Sequence, residues 1–427
     1  MPERTLQHIR EISGGSSGAT IKAGDSPSID GFARLRVSNP VGLFDSQMQY
    51  DTSDLLWETS PSTGTFATHL PNESSVRLRV TGSQTVIRQT RSYHRYQPGK
   101  SQLVLLTFVC SQPAVGVYQR VGYFDSQNGV FLQVNDNDAG LDFVMRSYVS
   151  GAAVDTTIDQ GDWNIDTLDG TGDEGNPSGI RLDITQSQIL IIDLEWLGVG
   201  RVRAGFVIDG LPVYCHEFLN SNINNTVYMT TANLPLRYEI SAGAGLVDNY
   251  DLKQICSQVS SEGGFEQERG LPFAADTNPT GTMAVTTRQA VLSIRPKATF
   301  NGLVNRSQII PESYDVDVAT NGALVELIYN GTLPTGTAWA SADANSTTEY
   351  AVDAGVITGG IKIFTEFIPA AGTNANNRIG EGGSTLLSRL PVTLDMNGEN
   401  PINVSLVVTA KTGTTNIDAA ARWREIR

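Results

Sequence analysis

Apolar and polar positions alternate with period two along most of this chain, the spacing of half-buried β-strands. Val76, Leu78 and Val80 point one way and Arg77 and Arg79 the other, while Val404, Leu406, Val408 and Ala410 line one face of a later segment. "SQLVLLTFVC" (101–110) is nearly all apolar and predicts a strand buried on both faces. "GVFLQVNDNDAGLDFVMRS" predicts a hairpin turning at Asn135-Asp136-Asn137-Asp138, residue types that accept tight-turn backbone. The best-specified segment is "ILIIDLEWLGVGRVRAGFVIDG" (189–210). Leu190, Ile192, Leu194 and Trp196 share one face of its first strand. Val202, Ala204, Phe206 and Ile208 share one face of its second. A turn at Gly198-Val199-Gly200 keeps the apolar faces in register and sets Asp193 and Glu195 across from Arg201 and Arg203.

The first 30 residues depart from this pattern. Leu6, Ile9 and Ile12 recur at helical spacing, followed by "GGSSGATIKAGDSPSIDG", which is linker chemistry. So short a stripe does not hold a helix by itself in water, so the segment is either a tail or an arm that orders against a partner. Residues 263–282, "GGFEQERGLPFAADTNPTGT", break the alternation again with Gly, Pro and charge, as a domain junction does. Beyond them strands resume, separated by turns such as Asn330-Gly331 and Asn397-Gly398. The pattern predicts an all-β chain: an arm over 1–30, a jelly-roll-like β-sandwich over 31–265, a linker over 266–282 and a second sandwich over 283–427.

Composition narrows the function. Of 427 residues 40% are hydrophobic and 18% charged, with 42 glycines, which is a folded chain rich in turns. The net charge of −15 leaves no excess of Lys or Arg to neutralise phosphates, so nucleic acid is not an expected partner. Three cysteines (Cys110, Cys215, Cys256) without CxxC spacing predict reduced thiols rather than a disulfide framework. No apolar run approaches the roughly 18–20 residues that cross a bilayer, so no membrane insertion is expected. The N-terminus lacks the apolar centre of a signal peptide.

Candidate chemistry is sparse. Cys215, His216 and Glu217 are adjacent, and neighbours on a strand point to opposite faces, which argues against a zinc site. The loop 161–179 gathers Asp162, Asp166, Asp169, Asp173 and Glu174, ligand types that suit Ca²⁺ although the spacing is not that of an EF-hand. A solvated acidic loop is the simpler reading. Asp193 and Glu195 are the best carboxylate pair for glycoside hydrolysis. An arginine opposite each would lower both pKa values, the wrong direction for a general acid, and on that ground no hydrolase and no enzyme is expected. Tyr93, His94 and Tyr96 form a candidate stacking platform for sugars, or a contact surface between proteins. The Arg-x-Arg strands (Arg34/Arg36, Arg77/Arg79, Arg201/Arg203) offer planar forks to acidic surfaces of neighbouring subunits, or else only keep the outer faces soluble.

At "DGFARLRVSNPVGLFDSQ", "YQPGKSQLVLLTFV", "QRVGYFDSQNGVFLQ", "EWLGVGRVRAGFVIDG", "YMTTANLPLRYEI", "LKQICSQVSSEGG" and the terminal "WREIR", the chain resembles a family of virion structural proteins of tailed bacteriophages. These occur notably in phages of aquatic bacteria. The blocks run in order from about residue 30 to the C-terminus. The resemblance implies a structural, tail-fibre-like protein assembled in the host cytoplasm and carried on the virion, with no catalytic residues and no cofactor. It implies a place at the tail, collar or fibre attachment, or as capsid decoration. The partners implied are other copies of the chain, with a trimer the usual fibre state, and other virion proteins. Arg34, Arg36, Arg77, Arg79, Arg201 and Arg203, with Leu6, Ile9 and Ile12 of the arm, are the candidate interface residues. A receptor-binding module for host surface glycans is the alternative.

Overall fold

The computed structural model describes residues 30, 39–61, 66–135, 140–246, 248–263, 270–277, 283–369, 377–379 and 390–427. The chain is all-β and forms two units. The first comprises Met1–Ser53, Thr59–Gln89 and Tyr96–Phe265, and the second Asp54–Glu58, Thr90–Arg95 and Glu266–Arg427. Among the described residues the only helical turns are two short 3-10 turns, Pro71–Glu73 and Gln160–Asp162.

The first unit is a sandwich of two antiparallel sheets. One runs Leu211–Phe218, Val202–Ile208, Gln188–Leu194, Ser101–Cys110, Asn249–Glu262, Ser75–Thr81, Ala67–Leu70, with Val41–Gln47 also on Asn249–Glu262. The other runs Val154–Asp159, Leu141–Ser147, Gly129–Val134, Val117–Phe124, Leu236–Ala242, Gln84–Thr90, Trp57–Ser60. Alternation decides which side chains lie between them. Phe143 of one sheet stacks near Phe206 of the other with Trp163 beside both, and the Tyr238 hydroxyl meets Ser257 Oγ across the gap at 2.9 Å. The pairing of Asp193 with Arg203 and of Leu194 with Val202 reproduces the register expected from the sequence. Strand Ser101–Cys110 differs from expectation. Val104, Leu106 and Phe108 are fully buried, but Leu103, Leu105, Thr107 and Val109 on its other face are only half-buried.

The second unit pairs a five-stranded sheet, with Thr415–Ile426 between Leu271–Asp276 and Gln308–Val318, against a six-stranded one centred on Gln289–Pro296, Val404–Ala410 and Ala323–Tyr329. Tyr314, Val316, Ala421 and Trp423 of the first meet Val325, Leu327, Val404 and Leu406 of the second in one core. Asn330 takes a left-handed φ of 52° at its turn, a conformation asparagine accepts more readily than most residues. Residues 271–276, expected within a linker, are instead a strand paired with 420–425. Phe273 and Ala275 pack on the core there, and that burial outweighs a local composition of turn-forming residues.

Candidate functional site

The outward-directed side chains of the seven-stranded sheet include an interlocked set of charged and aromatic groups. Period-two alternation sends Val117, Gln119, Val121 and Tyr123 into the sandwich and Tyr118, Arg120, Gly122 and Phe124 outward. Neighbouring strands add Phe131 and Gln133, then Asp142, Val144 and Arg146, and on the other side Arg237 and Glu239. Phe124 and Phe131 stack with ring centroids 4.3 Å apart. Guanidinium groups roof them, Arg146 lying 5.1 Å from the Phe131 centroid and Arg237 5.2 Å from that of Phe124.

Carboxylates fix these arginines in place. Glu239 accepts from Arg120 at 2.6 Å and from Arg237 at 2.5 Å, and Asp155 accepts both Nε and Nη2 of Arg146 at 2.8 Å. Burial pushes the Glu239 carboxyl up, but Arg237 and Arg120 together hold it below its ordinary value. Asp142 goes the other way. Burial raises it, and Asp159 directly opposite raises it further, against the amides of Gln133 and Asn135 that donate to it. Phe124, Phe131 and Val144 are buried as one cluster, with Gln133, Asp142, Arg237 and Glu239 buried around them. Of the aromatic side chains on this face only Tyr118 is therefore exposed, and of the arginines only Arg120 and Arg146 keep a solvent edge. Its arginines escaped the sequence reading because each stands alone on its strand. The available signal was the single arginine alternating with apolar residues in "YQRVGYF" and "LRYEI".

The sequence-derived candidates fall elsewhere. Leu6, Ile9, Ile12, Arg34 and Arg36 lie outside the described residues. Arg79 makes a bidentate pair with Asp251 at 2.6 Å, and Arg201 meets Glu217 at 3.2 Å. Arg203 is 1% exposed against Asp193 at 0%, so as a free interface fork it is a wrong expectation; its charge is engaged inside the fold. Arg77 is half-buried on the strand facing Lys253. Tyr93, His94 and Tyr96 are all buried and form no exposed platform. Their segment packs inward, with the Arg306 guanidinium 4.4 Å from the Tyr93 ring, and burial lowers His94 to about 3.

The acidic loop is organised by its own hydrogen bonds. Asp166 accepts from Leu168 N, Ser178 N and Asn176 Nδ2, and Asn176 Oδ1 accepts from Gly170 N and Gly172 N. Asp169 and Asp173 cap local turns at Thr171 and at Gly175–Asn176, while Asp162 and Glu174 are exposed. Among the described residues no group of three or more His, Cys, Asp or Glu is arranged to hold a metal.

Glu195 corrects a step in the sequence argument. Burial, assisted by the nearby Asp30 and Asp193 charges, raises its carboxyl despite Arg201. Salt bridging therefore does not hold Glu195 down, and the reason given against a general acid fails for it, whereas Asp193 is paired with Arg203 as expected.

No family model and no curated protein matches the chain. Among solved structures it is similar to a glycosyl hydrolase family protein from Mycobacterium fortuitum, at 9% identity and a TM-score of 0.36 over 51% of this chain and 99% of that one. A putative beta-glucanase from Mycobacterium abscessus matches at 11% identity and 0.33, over 51% and 100%. The carbohydrate recognition domain of Emp47p matches at 9% and 0.32, over 52% and 96%. These are likenesses of fold. The expectation that the chain is not an enzyme rested on lowered carboxylates, and with the Glu195 carboxyl raised instead it is withdrawn.

Proposed function

We propose that this chain is a structural component of a tailed-phage virion, at the tail, collar or fibre attachment or on the capsid, binding other copies of itself and other virion proteins. The observation that carries the reading is the outer face of the seven-stranded sheet. Tyr118 and the carboxylate-fixed Arg120 and Arg146 are residue types enriched at protein interfaces, and they are held in place before any partner arrives. The family resemblance of the sequence blocks supports the same reading. Mass spectrometry and antibody labelling of purified particles of the phage that encodes the chain test it. The protein is expected at a fixed copy number, with Tyr118→Ala/Arg120→Ala reducing its incorporation. Particles that lack it sink the reading.

A second reading is action on a surface glycan. The observation favouring it is Glu195, a half-buried carboxyl that burial raises, the direction a general acid requires. Release of reducing ends from host polysaccharide, abolished by Glu195→Gln, would establish it. No release, together with no retention on immobilised polysaccharide, removes it.

A further inference from the structure

The turn joining strands Gln188–Leu194 and Val202–Ile208 and the loop after Leu211–Phe218 together expose four large apolar side chains. Leu197 is 49% exposed, Val199 39%, Leu219 54% and Ile223 70%. The two segments are tied to each other. Ser221 Oγ donates to Val199 O at 2.9 Å, Asn220 Nδ2 to Gly200 O at 2.8 Å, and Tyr228 N to Gly198 O at 2.9 Å. Leu197 also sits at a φ of 39°, a left-handed backbone that is uncommon for leucine and here keeps its side chain at the surface. A rigid tip carrying clustered apolar side chains is a docking surface rather than a set of scattered exposed residues.

We propose that the N-terminal arm of the same chain docks on this tip, placing Leu6, Ile9 and Ile12 against Leu197, Val199, Leu219 and Ile223. The path of the chain favours this occupant. Asp30 is buried, and its charge lies close enough to Glu195 to act on it, two residues from Leu197. Asp30, the last residue of the arm, therefore lies beside the tip. The Gly/Ser-rich stretch between Ile12 and Asp30 reaches roughly 20 Å from that anchor. Three apolar residues at helical spacing cannot hold a helix unaided, and an apolar surface within reach supplies what the segment lacks. The inference is independent of the function proposed above.

Amide exchange on the full-length protein tests it. Leu6→Ser/Ile9→Ser/Ile12→Ser is first checked against the parent for the same far-ultraviolet circular dichroism and melting temperature. Exchange over 197–200 and 219–224 is expected to rise several-fold in this variant, and unchanged exchange overturns the proposal. A second measurement reads which arm docks. In a Cys256→Ser background, Ile9→Cys with Ile223→Cys is expected to form a disulfide within one chain. Ile9→Cys with Val115→Cys, beyond the far end of strand Ser101–Cys110, is the control. A bridge only between chains, or yield no greater than the control, overturns the proposal.

Discussion

Arg203 donates to Asp193 at 2.5 Å across two adjacent strands, and neither side chain reaches solvent. The Tyr214 ring lies 4.2 Å from the same guanidinium, and its hydroxyl donates to Asp193 at 3.3 Å. A pair buried this fully is costly to break on one side, because the remaining charge has left water without its partner. Arg203→Met alone is expected to destabilise the first unit by about 3–5 kcal/mol. Adding Asp193→Leu is expected to recover much of that loss. Urea unfolding followed by amide exchange over 190–206 measures both, and a double variant as unstable as the single one would refute the account.

Glu58 gives the fold a pH dependence. Its side chain is 10% exposed, with Arg91 at 3.7 Å and Asp395 and Arg306 nearby. Burial outweighs both arginines and raises its pKa to about 7. A carboxyl whose folded pKa lies above its unfolded value takes up a proton on folding. Its contribution is present below about 4.5, the unfolded value, and is lost as pH rises through 7. The full span corresponds to roughly 3 kcal/mol. Urea midpoints at pH 5 and pH 8 should differ in the parent and converge in Glu58→Gln; equal slopes in both would count against it.

Some of this architecture was legible in the chain, and the boundary has a physical cause. Alternation over 189–210 identified the apolar face and the opposition of Asp193 and Arg203, because strand register follows from period two. It could not show that the charged face is also covered, since periodicity says which side chains share a face and nothing of what lies on it. Glu58, Arg91, Arg306 and Asp395 come together from distant parts of the sequence, so no local pattern announces them. Tyr93 and Tyr96 read as a surface from composition alone, while tertiary packing buries them.

Gly122 sits at a tight point of the seven-stranded sheet. A Cβ there would lie 2.5 Å from Phe131 Cα, a backbone atom that no rotamer change can move aside. Gly122→Ala must therefore push apart the strands Val117–Phe124 and Gly129–Val134 and disturb the Phe124–Phe131 stack. A loss of about 1–3 kcal/mol is expected from overpacking, read as a lowered melting temperature. A variant as stable as the parent would show that the sheet relaxes freely at this point.

Calcium should leave the acidic loop indifferent. The Asp166 oxygens accept three hydrogen bonds within the loop, and the Asp169 carboxylate, lowered by the amide and hydroxyl of Thr171, serves its own turn. A cation would have to displace those donors before it gained oxygen ligands of its own. Unfolding midpoints with millimolar Ca²⁺ and with a chelator are expected to coincide. Asp166→Ala, by contrast, should destabilise the loop under both conditions, since Leu168 N, Ser178 N and Asn176 Nδ2 then lose their shared acceptor. A midpoint raised by Ca²⁺ in the parent but not in Asp166→Ala would restore the metal reading for this loop.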